Sequence, residues 1–488
     1  MRLDQVLPGA QVAGGCDYEI TSLAYDNREI ACGTLFFCVP GFTRDGHDFA
    51  AEAVARGAVA LVVERPLALA VPQIQVSSAR AAMAPAAAAF YGDPTSELQT
   101  IGITGTNGKT TTAFLTRALL EADGRPTGLL GTVKSVIGGV EHGVQRTTPE
   151  AIDLQRTFCV MLDQGDQACV MEVSSHALEL HRADAIHFAA AIFTNLTQDH
   201  LDFHPSMEDY FDAKRMLFEG AEGAAPPANS IVNLDDPYGA RLAAEIDAPI
   251  TYAQRNTADY QATAVKTGLD GSTFTVETPD GELELTSPLR GEFNVYNVLG
   301  ALAAARALEV PADTCLRAIA TAGQVPGRFE TIDVGQPFAV VVDYAHTPDS
   351  LENVLRTARQ LTDNRVIVVF GAGGDRDRSK RPLMGDAARR LADRVIVTSD
   401  NPRSEDPEAI IEEVLSGAGP QAAHDADRRN AIAQAIGEAA PGDVVVIAGK
   451  GHEQGQEFQA GRKLPFDDVT VAHEILRGSI VDAGASAR

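Results

Sequence analysis

The sequence has no long apolar run. None approaches the roughly 20 residues that a membrane-spanning helix needs, and the nearest stretch, 58–76, is interrupted by charged residues and two prolines. At the start of the chain, Asp4 and Pro8 stand where a signal peptide has a continuous apolar core. We therefore expect a cytoplasmic protein that is not inserted into a membrane.

Basic residues are also in short supply. The 40 lysines and arginines face 67 aspartates and glutamates, which gives a formal net charge of −27. A chain with this balance does not hold nucleic acid or an anionic membrane by general attraction. An anionic substrate requires that basic side chains gather locally in a pocket.

Cysteine is scarce and shows no metal-binding spacing. The six cysteines form no CxxC pair; they are Cys16, Cys32, Cys38, Cys159, Cys169 and Cys315. This scatter favours reduced thiols in a reducing compartment over disulfides or a zinc site.

Apolar segments alternate with helical segments from residue 98 onward. The segments 100–105, 169–173 and 189–194 predict buried strands, and a helix is predicted over Lys109–Ala122. Such alternation is typical of a parallel sheet with right-handed crossovers. Further apolar strands are predicted at 34–39, 58–63, 338–342, 365–370, 394–398 and 443–448. The region 249–289 alternates polar and apolar residues around Asp-Gly turns and predicts an antiparallel ribbon.

The clearest motif is GITGTNGKTTT, Gly102–Thr112, which follows a predicted strand and opens a predicted helix. In this context glycine-rich loops bind phosphates through backbone N–H groups and the helix N-terminus. Lys109 would reach the β- and γ-phosphates of ATP, and the Thr110 hydroxyl would bind Mg²⁺. The motif departs from the usual spacing because Ile103 stands where its first glycine is expected. The ATP-binding residues predicted here are Gly105, Thr106, Asn107, Gly108, Lys109, Thr110 and Thr111.

The 488 residues suggest roughly three domains. Hydrophobic residues at 45% and charged residues at 22% exclude wholesale disorder. We expect an α/β protein with a smaller N-terminal α/β domain over 1–95. A central phosphate-loop ATPase domain with a parallel sheet would cover 96–326, and a C-terminal Rossmann-like α/β domain 327–488. Ligands collect at the carboxyl ends of parallel strands, so we expect two sites facing a common cleft.

Three further segments of the central part carry polar residues next to predicted elements. Glu172 in MEVSSHALELHR and His200 in TNLTQDHLDFH are each expected at a strand end, and Lys214 in FDAKRMLF on a short helix. Glu172 and His200 could share a metal ion beside the phosphate loop. A histidine is an unusual magnesium ligand, so a structural role for His200 is the alternative.

The segments GTNGKTT, EVSSH, NLTQDHLDFH and DAKRMLF together resemble the central domain of the Mur ligases. Enzymes of this family use ATP to form amide bonds on the peptidoglycan precursor. The resemblance implies a Mg²⁺ site formed by Thr110, Glu172, His200 and Lys214, with the lysine carbamylated so that it offers oxygen. With Lys109, the last three are the implied catalytic residues. An unmodified lysine at the surface is the alternative for Lys214.

The resemblance extends to the nucleotide and to both ends of the chain. It implies ATP contacts by Asn294, Asn297, Arg328, Asp343 and His346, although each asparagine alone could be a helix cap. AYDNRE and GFTRDGHDF resemble the uridine-binding segment of the family member that adds the third residue of the peptide. The implied UDP-substrate contacts are Asp26, Asn27, Phe42, Thr43, Arg44, Thr147, Thr148, Ser174 and Arg182. The family usually has serine at the position of Asn27, which keeps the ability to donate and accept hydrogen bonds.

The DNPR segment, Asp400–Arg403, resembles the diaminopimelate-adding type within the family. Diaminopimelate differs from lysine by a distal carboxylate, and an arginine offers a bidentate partner for it. The implied amino-acid contacts are Arg376, Asp400, Asn401, Pro402, Arg403, Gly449 and Glu453. The expected substrates are UDP-MurNAc-dipeptide and meso-diaminopimelate, with ATP and Mg²⁺ as cofactors and a monomeric enzyme.

Two alternatives stay open from the sequence. A lysine-adding or folate-polyglutamate ligase would have the same build, but Arg403 argues against the first and the N-terminal segment against the second. A phosphate-loop switch that binds nucleotide without ligating anything would be expected to lack Glu172, His200, Lys214 or Arg403, and all four are present.

Overall fold

The computed structural model describes residues 1–7, 12–13, 18–41, 43–220, 224–268 and 270–486. Its N-terminal part is a five-stranded sheet in the order β1-β5-β4-β3-β2, with only β1 antiparallel to its neighbour. Its strands are Val12–Ala13 (β1), Ser22–Ala24 (β2), Thr34–Phe37 (β3), Ala58–Val63 (β4) and Gln73–Gln75 (β5). Its helices are Leu3–Val6 (α1), Ala50–Arg56 (α2) and Ala79–Tyr91 (α3), and short 3₁₀ turns occupy Asn27–Glu29, Gly46–Phe49 and Pro94–Ser96.

The central part is an eleven-stranded sheet in the order β16-β15-β14-β13-β12-β11-β6-β10-β7-β8-β9. Its strands are Gln99–Thr104 (β6), Thr127–Leu130 (β7), Ser135–Ile137 (β8), Val140–His142 (β9), Ala168–Glu172 (β10), Phe188–Phe193 (β11), Ser230–Asn233 (β12), Ile250–Ala253 (β13), Tyr260–Gly268 (β14), Gly271–Thr278 (β15) and Gly281–Ser287 (β16). Its helices are Lys109–Ala122 (α4), Ala151–Asp163 (α5), Ser175–Glu179 (α6), Met207–Glu219 (α7), Pro237–Glu245 (α8), Glu292–Ala307 (α9) and Ala312–Ala320 (α10).

The middle of this sheet is parallel and its edges are not. Strands β7, β10, β6, β11, β12, β13 and β14 pair in parallel, as the strand–helix alternation predicts. Antiparallel hairpins extend both edges: β8 and β9 on one side, and β15 and β16 on the other. The predicted ribbon over 249–289 is therefore antiparallel only from β14 onward. Its first strand, β13, joins the parallel sheet through β12.

Both faces of the central sheet are covered by helices. Residues of α4 and α9, such as Leu119 and Leu299, pack with Ile101 and Ile103 of β6 on one face. Residues of α5 and α7 pack on the other, where Phe158 and Phe211 are fully buried. This two-sided packing explains why the central strands are continuous apolar runs.

The C-terminal part is a six-stranded sheet in the order β17-β18-β22-β19-β20-β21, parallel except for β17. Its strands are Glu330–Ile332 (β17), Ala339–Asp343 (β18), Val366–Phe370 (β19), Arg394–Thr398 (β20), Ala423–Asp425 (β21) and Val444–Ala448 (β22), and a hairpin of Gly455–Phe458 (β23) and Arg462–Pro465 (β24) follows. Its helices are Pro348–Gln360 (α11), Lys380–Leu391 (α12), Pro407–Ala418 (α13), Arg428–Glu438 (α14) and Asp468–Ser486 (α15), with a 3₁₀ turn at Gln459–Gly461.

Local sequence explains where several of these helices begin. Thr347 caps α11 and Asp406 caps α13, each accepting a hydrogen bond from a backbone N–H of the first turn. Both helices have proline at their first position, where no N–H is needed. The expected α/β architecture is confirmed, and so are the four strands predicted between residues 338 and 448, each within one residue of its bounds.

In the described ranges, no helix has the length and apolarity that crossing a bilayer demands. Five cysteines lie there and form no disulfide, and Cys16 is outside these ranges.

Candidate active site

The phosphate-loop motif forms the turn between β6 and α4, as predicted. Gly105 has a φ of 142°, and a Cβ there would lie 1.9 Å from Thr194 Oγ1. Only glycine therefore allows the loop to pack against the segment after β11. Lys109 Nζ donates to the carbonyl oxygens of Gly105 and Thr106, each at 2.9 Å. Ile103, the departure from the usual spacing, is a fully buried residue of β6.

The loop continues directly into the first turn of α4. Thr110 and Thr111 lie in the first turn of α4, where the helix dipole favours negative charge. The Asn107 backbone N–H donates to Asn195 Oδ1 at 2.9 Å, and Thr106 Oγ1 lies 3.2 Å from Tyr210 Oη. The segment after β11 thus holds the loop in position.

Lys214 lies within hydrogen-bond distance of this loop. It is 1% exposed on α7, a helix of 13 residues rather than the short helix expected, so the surface-lysine alternative is wrong. Its Nζ donates to the Gly105 oxygen at 3.0 Å and lies 4.5 Å from the Tyr210 ring centroid. Burial, together with the charge of Lys109, holds the pKa of Lys214 well below its usual value. Burial lowers the pKa of Lys109 as well.

Glu172 ends β10 beside the helix that follows the phosphate loop. Both of its oxygens lie 3.0 Å from the Thr110 hydroxyl. Thr132, in the loop after β7, donates its N–H at 2.7 Å and its hydroxyl at 3.0 Å to the same carboxylate. Sequence reasoning missed Thr132. Its position two residues after an apolar strand next to β10 was the available signal.

His200 is not at a strand end, which corrects the sequence expectation. It follows β11 by seven residues and has a left-handed backbone with a φ of 56°. Its Nε2 lies 3.5 Å from Asp199 Oδ2, and its ring centroid 4.8 Å from that of His176. Burial lowers the pKa of His200 to about 3, although Asp199 opposes the shift. The imidazole is therefore neutral at physiological pH, with a nitrogen lone pair available to a metal ion.

The oxygen donors around the loop fit a magnesium ion in chemical type, whereas a histidine nitrogen is an unusual magnesium ligand. Thr110 and Glu172 offer oxygen, and the neutral His200 offers nitrogen. The described ranges hold no group of three or more His, Cys, Asp or Glu side chains close enough to bind a metal by themselves. Further oxygen donors are therefore needed, and Lys214 supplies one only if it is carbamylated.

The start of the C-terminal part reaches across to the phosphate loop. Arg328 Nη2 donates to Thr110 Oγ1 at 3.0 Å, and its guanidinium lies 4.4 Å from the centre of the Tyr344 ring. Asn107 Nδ2 donates to Asp349 Oδ2 on α11 at 2.8 Å. These contacts bring the loops of the central and C-terminal sheets to one cleft.

Asp343 and His346 lie beside this crossing point. Asp343 ends β18 and accepts backbone hydrogen bonds from Phe329 at 2.6 Å and Ala345 at 2.8 Å. Burial raises its pKa. His346 Nε2 lies 3.7 Å from Asp199 Oδ2. Asp343 therefore joins Phe329 to the loop after β18. Contact of Asp343 and of His346 with nucleotide stays a prediction.

Asn294 and Asn297 lie inside α9, whose N-cap is Gly291, so neither is a cap. Both are buried, and Asn297 Nδ2 donates to Asn294 Oδ1 at 2.9 Å. A Cβ on Gly108 would lie 2.4 Å from Asn297 Oδ1. The pair is therefore in contact with the phosphate loop.

The described residues that are predicted to bind UDP lie in the segments that follow β2 and β3. Asp26 accepts from the Arg28 backbone N–H at 2.9 Å, and Asn27 Nδ2 donates to Glu52 at 3.0 Å. Thr43 and Arg44 are exposed. Phe42 lies outside the described residues.

The residues predicted to bind the muramoyl dipeptide form a connected group with one partner that sequence reasoning missed. Thr148 Oγ1 donates to the Glu172 carbonyl at 2.9 Å and lies 3.4 Å from Ser174 Oγ. Thr147 Oγ1 is 3.2 Å from Thr132 Oγ1. The missed partner is Glu150, which is 5% exposed and forms ion pairs with three arginines. These are Arg80 at 3.2 Å, Arg146 at 2.5 Å and Arg182 at 3.0 Å.

The residues predicted to bind the amino acid lie in the loops that follow β19, β20 and β22. Arg403 has a left-handed φ of 52°; its Nη1 donates to the Gly374 oxygen at 2.6 Å and its Nε to Glu457 at 3.1 Å. Asn401 Nδ2 donates to Glu453 Oε2 at 2.7 Å. Arg376 Nη1 lies 3.5 Å from Asp202 of the central part. Asp400 borders Gly449, and Pro402 precedes Arg403 in the same loop.

Geometry and comparisons agree on the class. The two α/β sheets, the phosphate loop and the cross-cleft arginine define a nucleotide-dependent enzyme that acts at a domain interface. Residues 103–305 match the family described as Mur ligase middle domain, 327–451 the Mur ligase glutamate ligase domain, and 19–91 the Mur ligase catalytic domain.

Curated relatives match almost the whole chain. The "UDP-N-acetylmuramoyl-L-alanyl-D-glutamate--2,6-diaminopimelate ligase" of Geobacillus kaustophilus is 48% identical over 96% of this chain and 98% of its own. The protein of the same name from Solibacter usitatus is 48% identical over 94% of each chain. The chain belongs to the Mur ligase family, and it is an ATP-dependent amide ligase.

Solved structures share the fold over the same length. A structure named as a 2,6-diaminopimelate ligase of this type has a TM-score of 0.69 and 32% identity, covering 98% of this chain and 99% of its own. The Thermotoga maritima MurF ligase in complex with ADP has a TM-score of 0.63 at 18% identity, covering 95% and 98%. The second likeness supports the fold alone.

Proposed function

We propose that this enzyme joins meso-diaminopimelate to the γ-carboxylate of D-glutamate in UDP-MurNAc-L-Ala-D-Glu, forming ADP and phosphate. The observation that carries the proposal is Arg403, whose loop also contains Asn401, which donates to Glu453 in the loop after β22. Two relatives that are 48% identical to this chain are named as 2,6-diaminopimelate ligases, which supports the proposal. The reaction belongs to cytoplasmic assembly of the peptidoglycan precursor.

The proposal includes the organisation of the chain. We place a UDP-binding domain at 1–95, an ATP-binding domain at 96–326 and an amino-acid-binding domain at 327–488, in a monomeric enzyme. Each of the three large sheets falls within one of these ranges, which supports the division.

The reaction requires two displacements. An oxygen of the γ-carboxylate attacks the γ-phosphorus of ATP, the bond to the bridging oxygen of ADP breaks, and an acyl phosphate forms. The amine of diaminopimelate, having lost a proton, then attacks the acyl carbon. Phosphate leaves with the original carboxylate oxygen, and the nitrogen gives up a second proton to yield the amide.

The residues around the phosphate loop stabilise the first displacement. Lys109 offsets charge on the transferring group, and Arg328, already bonded to Thr110, adds a second cation from the other domain. Thr110, Glu172, His200 and carbamylated Lys214 would hold magnesium, which would supply positive charge to offset that of the phosphates. The set remains our proposal.

An isotope experiment tests the reaction as written. Substrate labelled with ¹⁸O in the D-glutamate γ-carboxylate is expected to deliver one label to each inorganic phosphate released, because the acyl phosphate retains that oxygen. Mass spectrometry of the phosphate and of the peptide product measures it. Amide product with unlabelled phosphate would contradict the acyl-phosphate route.

Arg403→Ala is expected to raise the KM for diaminopimelate about 10- to 100-fold, because the distal carboxylate loses a charged, bidentate partner. Arg403→Lys should recover only part of the loss, since an ammonium cannot form the paired hydrogen bonds. Steady-state kinetics with varied diaminopimelate measure both. Arg429→Ala is the control, because Arg429 pairs with Glu474 at the exposed surface. An unchanged KM in Arg403→Ala would remove this residue from the site.

Glu150→Gln is expected to raise the KM for the nucleotide dipeptide roughly tenfold, because Arg182 loses the carboxylate that orients it. The KM for ATP should change little, since Glu150 has no contact with the phosphate loop. Steady-state kinetics with the nucleotide dipeptide varied in one series and ATP varied in the other measure the two KM values separately. Glu277→Gln, at an exposed position of β15, is the control. Equal changes for both substrates would indicate a general structural role.

A further inference from the structure

Lys450 is a fully buried lysine that the proposed reaction does not yet use. It lies two residues after β22, in the loop Gly449–Glu453, and is 0% exposed. The Glu453 backbone N–H donates to the Lys450 oxygen at 2.9 Å, which closes the loop into a turn. A buried ammonium is retained only where hydrogen bonds and charge partners stabilise it.

Both partners of this ammonium belong to the proposed amino-acid pocket. Lys450 Nζ donates to Asn401 Oδ1 at 3.0 Å and to Glu453 Oε2 at 3.1 Å. Asn401 Nδ2 donates to the same Glu453 oxygen at 2.7 Å, and Asn401 Oδ1 also accepts the Glu457 N–H at 2.9 Å. One cation therefore joins the loop after β20 to the loop after β22.

The hydrogen bonds from Lys450 and Asn401 occupy only one of the two carboxylate oxygens of Glu453. Its Oε2 is occupied by Lys450 and Asn401, whereas Oε1 lies 3.4 Å from the Tyr344 hydroxyl. The Glu453 side chain is 30% exposed, and that of Lys450 has no exposed surface. Lys450 therefore acts on a ligand only through Glu453 and Asn401.

Charge balance distinguishes the two possible acceptors. Diaminopimelate has two carboxylates and two ammonium groups and is neutral overall, whereas lysine has a net charge of +1. A carboxylate that is not paired with a cation attracts lysine, the more positively charged acceptor, more strongly than diaminopimelate. The Lys450 ammonium, paired with Glu453, reduces that attraction, so the pocket favours the neutral zwitterion.

We propose that Lys450 is a positioning residue that orients Glu453 and Asn401 and makes the pocket select a zwitterionic acceptor over a cationic one. This inference rests on the proposed function. Arg403 would contact the distal carboxylate directly. Lys450 has no exposed surface and acts only by orienting Glu453 and reducing its effective negative charge.

The test compares Lys450→Met with the wild-type enzyme, with diaminopimelate or L-lysine as acceptor. The variant is expected to raise the KM for diaminopimelate at least about tenfold, the loss typical of a hydrogen bond to a charged group. The ratio of kcat/KM for diaminopimelate to that for lysine should fall by a similar factor. The KM for ATP should stay within about twofold, since Lys450 does not contact the phosphate loop. Lys266→Met, at an exposed position of β14, is the control.

A double-mutant cycle with Glu453→Gln tests whether Lys450 acts through Glu453. The double variant Lys450→Met/Glu453→Gln is expected to lose no more activity than the less active of the two single variants, because Lys450 acts on the ligand through Glu453. Multiplicative losses would overturn the inference. So would an unchanged acceptor ratio, or equal rises in the KM of all three substrates, in Lys450→Met.

Lys450→Gln keeps the inference falsifiable if the methionine variant does not fold. Lys450→Gln retains a donor without the charge, so it should lower the acceptor ratio in the same direction. An unchanged ratio would overturn the inference. Failure of the proposed function is recognised separately, because the wild-type enzyme would then release no phosphate in response to diaminopimelate.

Discussion

Lys109→Met is expected to lower kcat/KM for ATP by about 10²–10³-fold, the loss seen when one preorganised donor to a developing charge is removed. Lys109 Nζ bonds to the carbonyls of Gly105 and Thr106 within the loop that we propose binds the phosphate groups. Methionine fills a similar volume without charge. Coupled measurement of ADP formation at varied ATP provides the test.

Lys266→Met is the matched control for this prediction, because Lys266 is exposed on β14. It should leave kcat/KM unchanged. Lys109→Met should also leave binding of the nucleotide dipeptide intact, which equilibrium titration without ATP can show. Retention of near wild-type turnover by Lys109→Met would contradict the role given to the phosphate loop.

The second large effect concerns Lys214. Lys214→Ala is expected to lower kcat about 10²–10³-fold, because the site loses a charged group beside the phosphates. We propose that Lys214 is carbamylated: its lowered pKa favours the neutral amine, which would attack the carbon of CO₂ and lose a proton to give a carbamate. The carbamate would place an anion next to Lys109 and provide the oxygen donor that the magnesium site requires.

Two measurements separate carbamylation from a structural role of Lys214. Wild-type enzyme in CO₂-free buffer should lose activity and regain it with bicarbonate, and ¹³CO₂ should give a carbamate signal by NMR. Lys214→Ala should regain part of its activity with formate or acetate, which place a carboxylate in the vacated space. Full activity without CO₂, combined with no carbamate signal, would contradict this account.

Much of the fold follows from local pattern. The buried strands β6, β19 and β22 are apolar runs because helices cover both faces of their sheets, and α4 begins at Lys109 because a glycine turn precedes it. The hairpin of β8 and β9 was not predicted. Its strands have three residues each, and β9 is fully exposed, so neither carries a hydrophobic period.

The site was predictable where a motif is continuous and not where partners are distant. Glu172 could be placed at a strand end, but Thr132, which binds its carboxylate, lies 40 residues earlier. Glu150 and Lys450 likewise could not be singled out from the sequence. Their partners, Arg182 and Asn401, are distant along the chain and are brought close only by the fold. His200 was misplaced because the chain after β11 continues as a long loop rather than ending near the strand.

The most direct test of the central claim is phosphate release with ATP, magnesium and UDP-MurNAc-L-Ala-D-Glu, with meso-diaminopimelate in one sample and L-lysine in another. We predict strong release only with diaminopimelate, together with a product heavier by one diaminopimelate residue. Preference for lysine would leave the ligase class standing and contradict the pocket built around Arg403. Slow phosphate release that does not increase with either amino acid would contradict the assignment of this chain as the diaminopimelate-adding ligase.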